Sequence, residues 1–175
     1  MTEELFREDA SLLTCTATER VEHGAVQHQA RGGLYPLGGG QAGDAGVLVA
    51  PDGTRLTVVD TRKHPEAPGV IVHVPAPDAD MSAFAPGTPV RAEVDAPRRQ
   101  AHRRFHTATH LLCALVPYPV DGCSITAAYA RLDFHTNEPL DKEALNAGLA
   151  RLVAEAHPIS HRWISETELD ANPQL

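Results

Sequence analysis

VLVAPDGTRLTVVDT, Val47–Thr61, sets two apolar, β-branched runs on either side of Asp52-Gly53. An Asp-Gly pair in that setting is a strong hairpin signal, because the turn needs left-handed backbone that glycine adopts without penalty. Similar short runs flank it. TCTATERVE (Thr14–Glu22) and AVQHQA (Ala25–Ala30), parted by a turn at Gly24, precede it, and GVIVHV (Gly69–Val74) and PVRAEV (Pro89–Val94) follow. Proline and glycine punctuate the series, most densely in HPEAPG and FAPGTP. Five or six short strands so arranged predict a small barrel or rolled sheet over residues 1–94.

Beyond residue 94 the period changes. Asp95 and Pro97 mark a helix start, and apolar residues recur at Ala101, Phe105, Ala108, Leu112 and Leu115 until Pro117 and Pro119 end the run. CSITAAYARLDFHT (Cys123–Thr136) reads as one or two strands, with Leu132 and Phe134 on one face and Arg131, Asp133 and His135 on the other. Asp141 caps a second helix with an apolar stripe of Leu145, Leu149, Leu152, Val153 and Ala156, closed by Pro158. ISHRWIS is expected as a strand, and SETE (Ser165–Glu168) as a capping-box start to a last helix. The expectation is an α+β chain: a small N-terminal β-barrel domain, residues 1–94, then an α+β core of antiparallel sheet with helices, residues 95–175.

The chain has 175 residues, 42% hydrophobic and 22% charged, ordinary values for a globular protein. No apolar run is long enough to cross a bilayer and the acidic N-terminus resembles no signal peptide, so a cytoplasmic location without a membrane partner is expected. Three cysteines give no even disulfide framework, which suits a reducing compartment. A net charge of −8 argues against nonspecific nucleic-acid binding, and no DNA partner is expected. Yet Arg91, Arg98, Arg99, Arg103 and Arg104 crowd one segment, while only Lys63 and Lys142 are lysines. Arginine forks suit bidentate phosphate contacts; a solvated helix face balancing nearby acids is the alternative.

FHTATHLLC, Phe105–Cys113, follows those arginines. Residues four apart share a helix face, one turn rises about 5.4 Å, and two imidazoles so placed can converge on zinc at about 2.0–2.1 Å. His102 and Cys113 extend the flank, but His106 and Cys113 lie roughly 10 Å apart along the axis, too far for one compact tetrahedron. A metal at His106 and His110 therefore needs at least one ligand from elsewhere in the fold; ordinary packing histidines are the other reading.

LYPLGGGQAGD, Leu34–Asp44, has three consecutive glycines that allow close approach of a ligand to the main chain, and Gln41 adds a donor and an acceptor. A plain flexible loop is the competing reading. The stretch lacks the lysine of a phosphate-binding P-loop, and no serine sits in a nucleophile elbow, so nucleotide hydrolysis and serine-esterase chemistry are not indicated. HPISH (His157–His161) repeats the histidine spacing but carries Pro158, which spoils a helical pair, and Cys123 opens a strand where a small buried residue is usual.

In this order, LYPLGGGQAGD, VVDTRK with GVIVHV, the arginines before HTATHLL, ARLDF and RWIS resemble the editing domain of alanyl-tRNA synthetase and its free-standing relatives, the alanyl-tRNA editing proteins. The resemblance covers nearly the whole chain. It implies a trans-editing hydrolase that removes serine or glycine from mischarged tRNA(Ala), with the tRNA acceptor end as partner and Zn2+ as cofactor. It makes His106 and His110 metal ligands and places Gly39, Gly40 and Gln41 around the aminoacyl group. Thr107 and Thr109 are added as candidates for the serine hydroxyl, and Arg98, Arg99, Arg103 and Arg104 as acceptor-end contacts. Asp133 is a candidate support for a zinc-bound imidazole.

The family's later Cys-x-x-x-His pair is absent, because the first histidine after Cys123 is His135. The resemblance therefore implies a missing C-terminal piece, with exposed edges and self-association as its consequence. The alternatives are a short form with an unusual ligand set such as Cys113 or a displaced histidine, or a zinc-free relative that binds tRNA or protein without catalysis.

Overall fold

The Asp52-Gly53 signal is realised as a hairpin. Gly53 takes φ +87°, its amide donates to Ala50 O at 2.9 Å, and the Asp52 carboxylate accepts from Thr54 N at 2.8 Å. This computed structural model describes residues 3–22, 25–28, 31–160 and 162–172. It divides into two compact units, residues 1–139 and 140–175.

The first unit begins with a short strand β1 (Glu3–Glu4) and a one-turn helix α1 (Leu5–Glu8). Then come β2 (Thr14–Glu22), β3 (Ala25–His28), β4 (Arg31–Gly32) and β5 (Gly46–Val49). β6 (Arg55–Lys63), β7 (Ile71–Pro75) and β8 (Pro89–Val94) complete the strand-rich half. The Gly24 turn and Gln29–Ala30 lie outside the described residues. Every pairing among β2, β3, β5, β6, β7 and β8 is antiparallel, and the ladder closes in the order β2-β3-β7-β6-β5-β8. β1 pairs in parallel with β4.

Alternation decides what fills this ring. Leu56 and Val58 of β6 and Val90, Ala92 and Val94 of β8 point inward, and with Leu34, Leu48, Ala50 and Phe84 they make the core. A register shift between Val58 and Asp60 then changes the phase of β6. One extra residue turns Thr61 inward and Asp60 outward. Thr61 Oγ1 donates to Asp44 O at 2.9 Å, so the buried His73 Nδ1, 3.2 Å away, donates to Thr61.

α2 (Ala96–Leu115) follows β8 directly. Asp95 caps it by accepting from Arg98 N at 3.0 Å, and Pro97 sits in its first turn. It packs against β9 (Val120–Ile125) and β10 (Ala130–Phe134), an antiparallel pair with a bulge between Asp133 and Phe134. The buried residues of α2 are Arg99, His102 and Thr109, a polar flank rather than the expected apolar stripe. Ala101, Arg104, Phe105 and Ala108 instead line an open cleft of about 390 Å³.

The second unit holds α3 (Lys142–Glu155) and α4 (Glu166–Asp170). Asp141 caps α3 through Glu143 N and Ala144 N, and Ser165 caps α4 through Glu168 N. The apolar stripe of α3 is not buried: Leu145, Leu149 and Leu152 are partly exposed and Val153 is 69% exposed. The strand expected over ISHRWIS is absent from its described residues, where Ile159 and Trp163 are exposed without a ladder. His161 lies outside the described residues. A strand's apolar face needs a partner to cover it, and none of the described strands pairs there. Among the described residues no helix is long and apolar enough to cross a membrane.

Candidate functional site

The segment 34–44 is held at both ends, so it is no loose loop. Tyr35 N donates to Asp44 Oδ2 at 2.6 Å and Asp44 N returns a bond to Tyr35 O at 2.9 Å. Between them, Gly38 and Gln41 exchange two backbone hydrogen bonds of 3.1 Å each, with φ of +58° at Gly39 and +78° at Gly40. That is a two-residue hairpin turn in which both central residues are left-handed, which explains paired glycines.

The tip then docks on β9. Ile125 N donates to Gly40 O at 2.8 Å, and Ala42 N donates to Ile125 O at 2.9 Å. A Cβ on Gly40 would fall 2.5 Å from Cys123 O, so this approach is closed to any other residue. Lys63 also comes near the turn, its Nζ 3.6 Å from where a Gly38 Cβ would stand. Nothing in the spacing marked Lys63 as a neighbour of the turn.

Asp44 fixes this segment to α2. Arg99 Nε donates to Asp44 Oδ2 at 2.9 Å, and Arg99 Nη2 pairs with the same oxygen and with Gly33 O at 2.6 Å. Arg99 Nη1 donates to Ala10 O at 3.1 Å and Leu12 O at 3.4 Å. Arg98 gives two bonds to Gly43 O, at 3.2 and 3.0 Å. His102, fully buried, lies 3.8 Å from Asp44 Oδ1. Burial, then the Arg98 charge, pull its pKa below the ordinary histidine value, against the Asp44 carboxylate.

One turn further on, the loop and the helix meet. Gln41, 5% exposed, places Oε1 2.8 Å from His106 Nδ1. The rings of His106 and His110 stack with centroids 5.1 Å apart and planes 18° from parallel. His106 is half-buried and His110 exposed. Burial, with His110 adding to it, lowers the pKa of His106 from the ordinary histidine value.

The candidate residues thus separate. Gly39, Gly40, Gln41, His106 and His110 share one place. Arg99 is spent on the fold, because its guanidinium is buried against a carboxylate and three carbonyls, and we reassign it from RNA contact to structure. Arg98 is likewise engaged, whereas Arg103 and Arg104 are exposed, the charge of Arg103 adding to the Ser11 hydrogen bonds that lower the pKa of Asp9. Thr109 donates its hydroxyl proton to His106 O at 2.7 Å, keeping only acceptor capacity. Asp133 pairs with Arg131 at 3.2 Å on the exposed face of β10. Among the described residues no three histidine, cysteine or acidic side chains gather as a metal site. His106 and His110 offer two imidazoles, near-parallel and with one nitrogen facing Gln41, so by themselves they do not complete a tetrahedral zinc centre.

A buried ion pair tying a glycine turn to a histidine-bearing helix defines a two-element polar site. The chain is a relative of the alanine–tRNA ligases, matching one segment of those proteins. It is 30% identical to the alanine–tRNA ligase of Archaeoglobus fulgidus over 181 aligned residues, which is 97% of this chain and 19% of that one. Identity is 38% to the Granulibacter bethesdensis enzyme, over 87% of this chain and 18% of that one. With the Anaeromyxobacter enzyme it is 37%, over 65% of this chain and 13% of that one. The chain thus spans less than a fifth of the length of these relatives. No protein-family model matches it.

Proposed function

We propose that this chain hydrolyses the ester joining serine or glycine to mischarged tRNA(Ala). The observation that carries the reading is the meeting of Gln41 and His106 beside His110, within a segment similar to alanine–tRNA ligases. The acceptor end of the tRNA would lie against the exposed Arg103 and Arg104, whose guanidinium groups suit phosphate. Close passage of the substrate over Gly39 is sterically open, since a Cβ there would meet nothing within 4 Å. Bound by His106 and His110 with further donors, zinc would supply Lewis-acid polarisation of the ester carbonyl or a hydroxide at neutral pH. Selection against alanine would come from polar groups left unpaired when the substrate lacks a hydroxyl.

The test is release of amino acid from Ser-tRNA(Ala), Gly-tRNA(Ala) and Ala-tRNA(Ala) by the full chain, beside His106→Ala and His110→Ala. Deacylation of the first two, lost in both variants while circular dichroism is unchanged, is the expected result. A second reading, a noncatalytic relative that binds tRNA or protein, is favoured because no third histidine, cysteine or acidic side chain among the described residues gathers with His106 and His110 as a metal site. Salt-sensitive tRNA binding without deacylation in the wild type would select it.

A further inference from the structure

We propose that Gln41 is a positioning residue that holds His106 in a single tautomer, with the proton on Nδ1 and the lone pair on Nε2. The argument begins with how firmly Gln41 is placed. Its backbone exchanges both hydrogen bonds with Gly38, and the residues on either side of it bond to Ile125 of β9. The left-handed Gly40 sets the depth of the turn, because any side chain there would strike the Cys123 carbonyl. The Gln41 amide therefore meets the ring from one direction, in a nearly water-free position.

The ring is held as well. It stacks on His110, and its backbone carbonyl takes the Thr109 hydroxyl. Across the 2.8 Å contact the Gln41 amide presents Oε1, an acceptor, to the ring, and in that orientation His106 Nδ1 is the donor. A neutral imidazole has one ring proton, and placing it on Nδ1 leaves Nε2 with the lone pair. Neutral histidine in water favours the opposite tautomer, so the selection is made by the fold. Its consequence rests on the proposed ester hydrolysis: an Nε2 lone pair of fixed direction is what a metal ion or a proton would use at this site.

The experiment is long-range proton–nitrogen NMR of the 15N-labelled full chain at neutral pH, with His106 assigned by its loss in His106→Ala. Expected in the wild type is a protonated Nδ1 and an unprotonated Nε2. Gln41→Leu, which keeps the volume and removes the acceptor, should shift His106 toward the Nε2–H form. Gln41→Glu should restore Nδ1–H. A wild-type proton on Nε2, or an unchanged tautomer in Gln41→Leu, overturns the proposal; if Gln41→Leu fails to fold, the wild type and Gln41→Glu decide it.

Deacylation is the second arm. Gln41→Leu should lose about 10–100-fold in kcat with little change in KM, the size usual for a partner that orients a functional histidine, and Gln41→Glu should recover part of it. A changed tautomer with undiminished deacylation overturns the positioning role. A wild type with no deacylation overturns the proposed function alone, because the NMR result needs no substrate.

Discussion

Arg99→Ala should destabilise the first unit severely while leaving the exposed face of α2 unchanged. The substitution removes the counter-charge of Asp44, whose side chain is 1% exposed, and strands the carbonyls of Gly33, Ala10 and Leu12. Removing one partner of a buried ion pair costs about 3–5 kcal/mol. Each stranded carbonyl adds about 1 kcal/mol at most here, because these losses share one side chain and do not sum independently. A total of roughly 4–6 kcal/mol is a large part of the about 5–15 kcal/mol that domains possess. At about 2–4 °C per kcal/mol for a unit of this size, the melting temperature should fall by roughly 10–20 °C.

Thermal and urea unfolding by far-UV circular dichroism would measure it. Arg103→Ala/Arg104→Ala, two exposed changes, should stay within about 0.5 kcal/mol per site and serve as the control. The double variant Asp44→Asn/Arg99→Ala should cost less than the two singles added, since neither leaves a buried charge once both are gone. An Arg99→Ala protein that melts within about 2 °C of wild type would refute the assignment of Arg99 to the fold.

Other outcomes follow from the same geometry. Gly40→Ala should destabilise the chain and shift the Gln41–His106 contact in NMR, because its Cβ meets Cys123 O at 2.5 Å; Gly39→Ala, with open space, should cost only the left-handed penalty of about 1–2 kcal/mol. Equal losses from the two would count against the docked turn. Because burial depresses the pKa of His102 in the fold, the unfolded chain binds more protons, so stability should be full above about pH 6.5 and decline as the pH falls below it. His102→Gln should flatten that decline in melting temperature, and an identical profile would argue against it. If tRNA binds, Arg103→Ala and Arg104→Ala should each lower the slope of log affinity against log salt by about 0.7–0.9, and unchanged slopes would place the RNA elsewhere.

The parts of this protein that were legible in its sequence are those set within a few residues. The Asp52-Gly53 hairpin, the caps at Asp95, Asp141 and Ser165, and the shared flank of His106 and His110 each depend on local backbone geometry. The similarity to alanine–tRNA ligases was also readable, since it rests on motif order rather than on coordinates. Helical periodicity proved less informative. It marked apolar stripes on α2 and α3, yet α2 buries arginine and histidine and α3 buries no residue fully.

Tertiary structure alone decided the polar site. A bulge one residue long turned Thr61 inward, and no hydropathy pattern encodes that shift. Asp44 and Arg99 are 55 residues apart, and Gln41 and His106 are 65 apart. Each side chain has ordinary alternatives in solvent, so its partner is chosen by where the docked glycine turn and α2 meet. Local rules give the turn and the helix, but only their packing takes the water away and leaves each buried polar atom the neighbour it has.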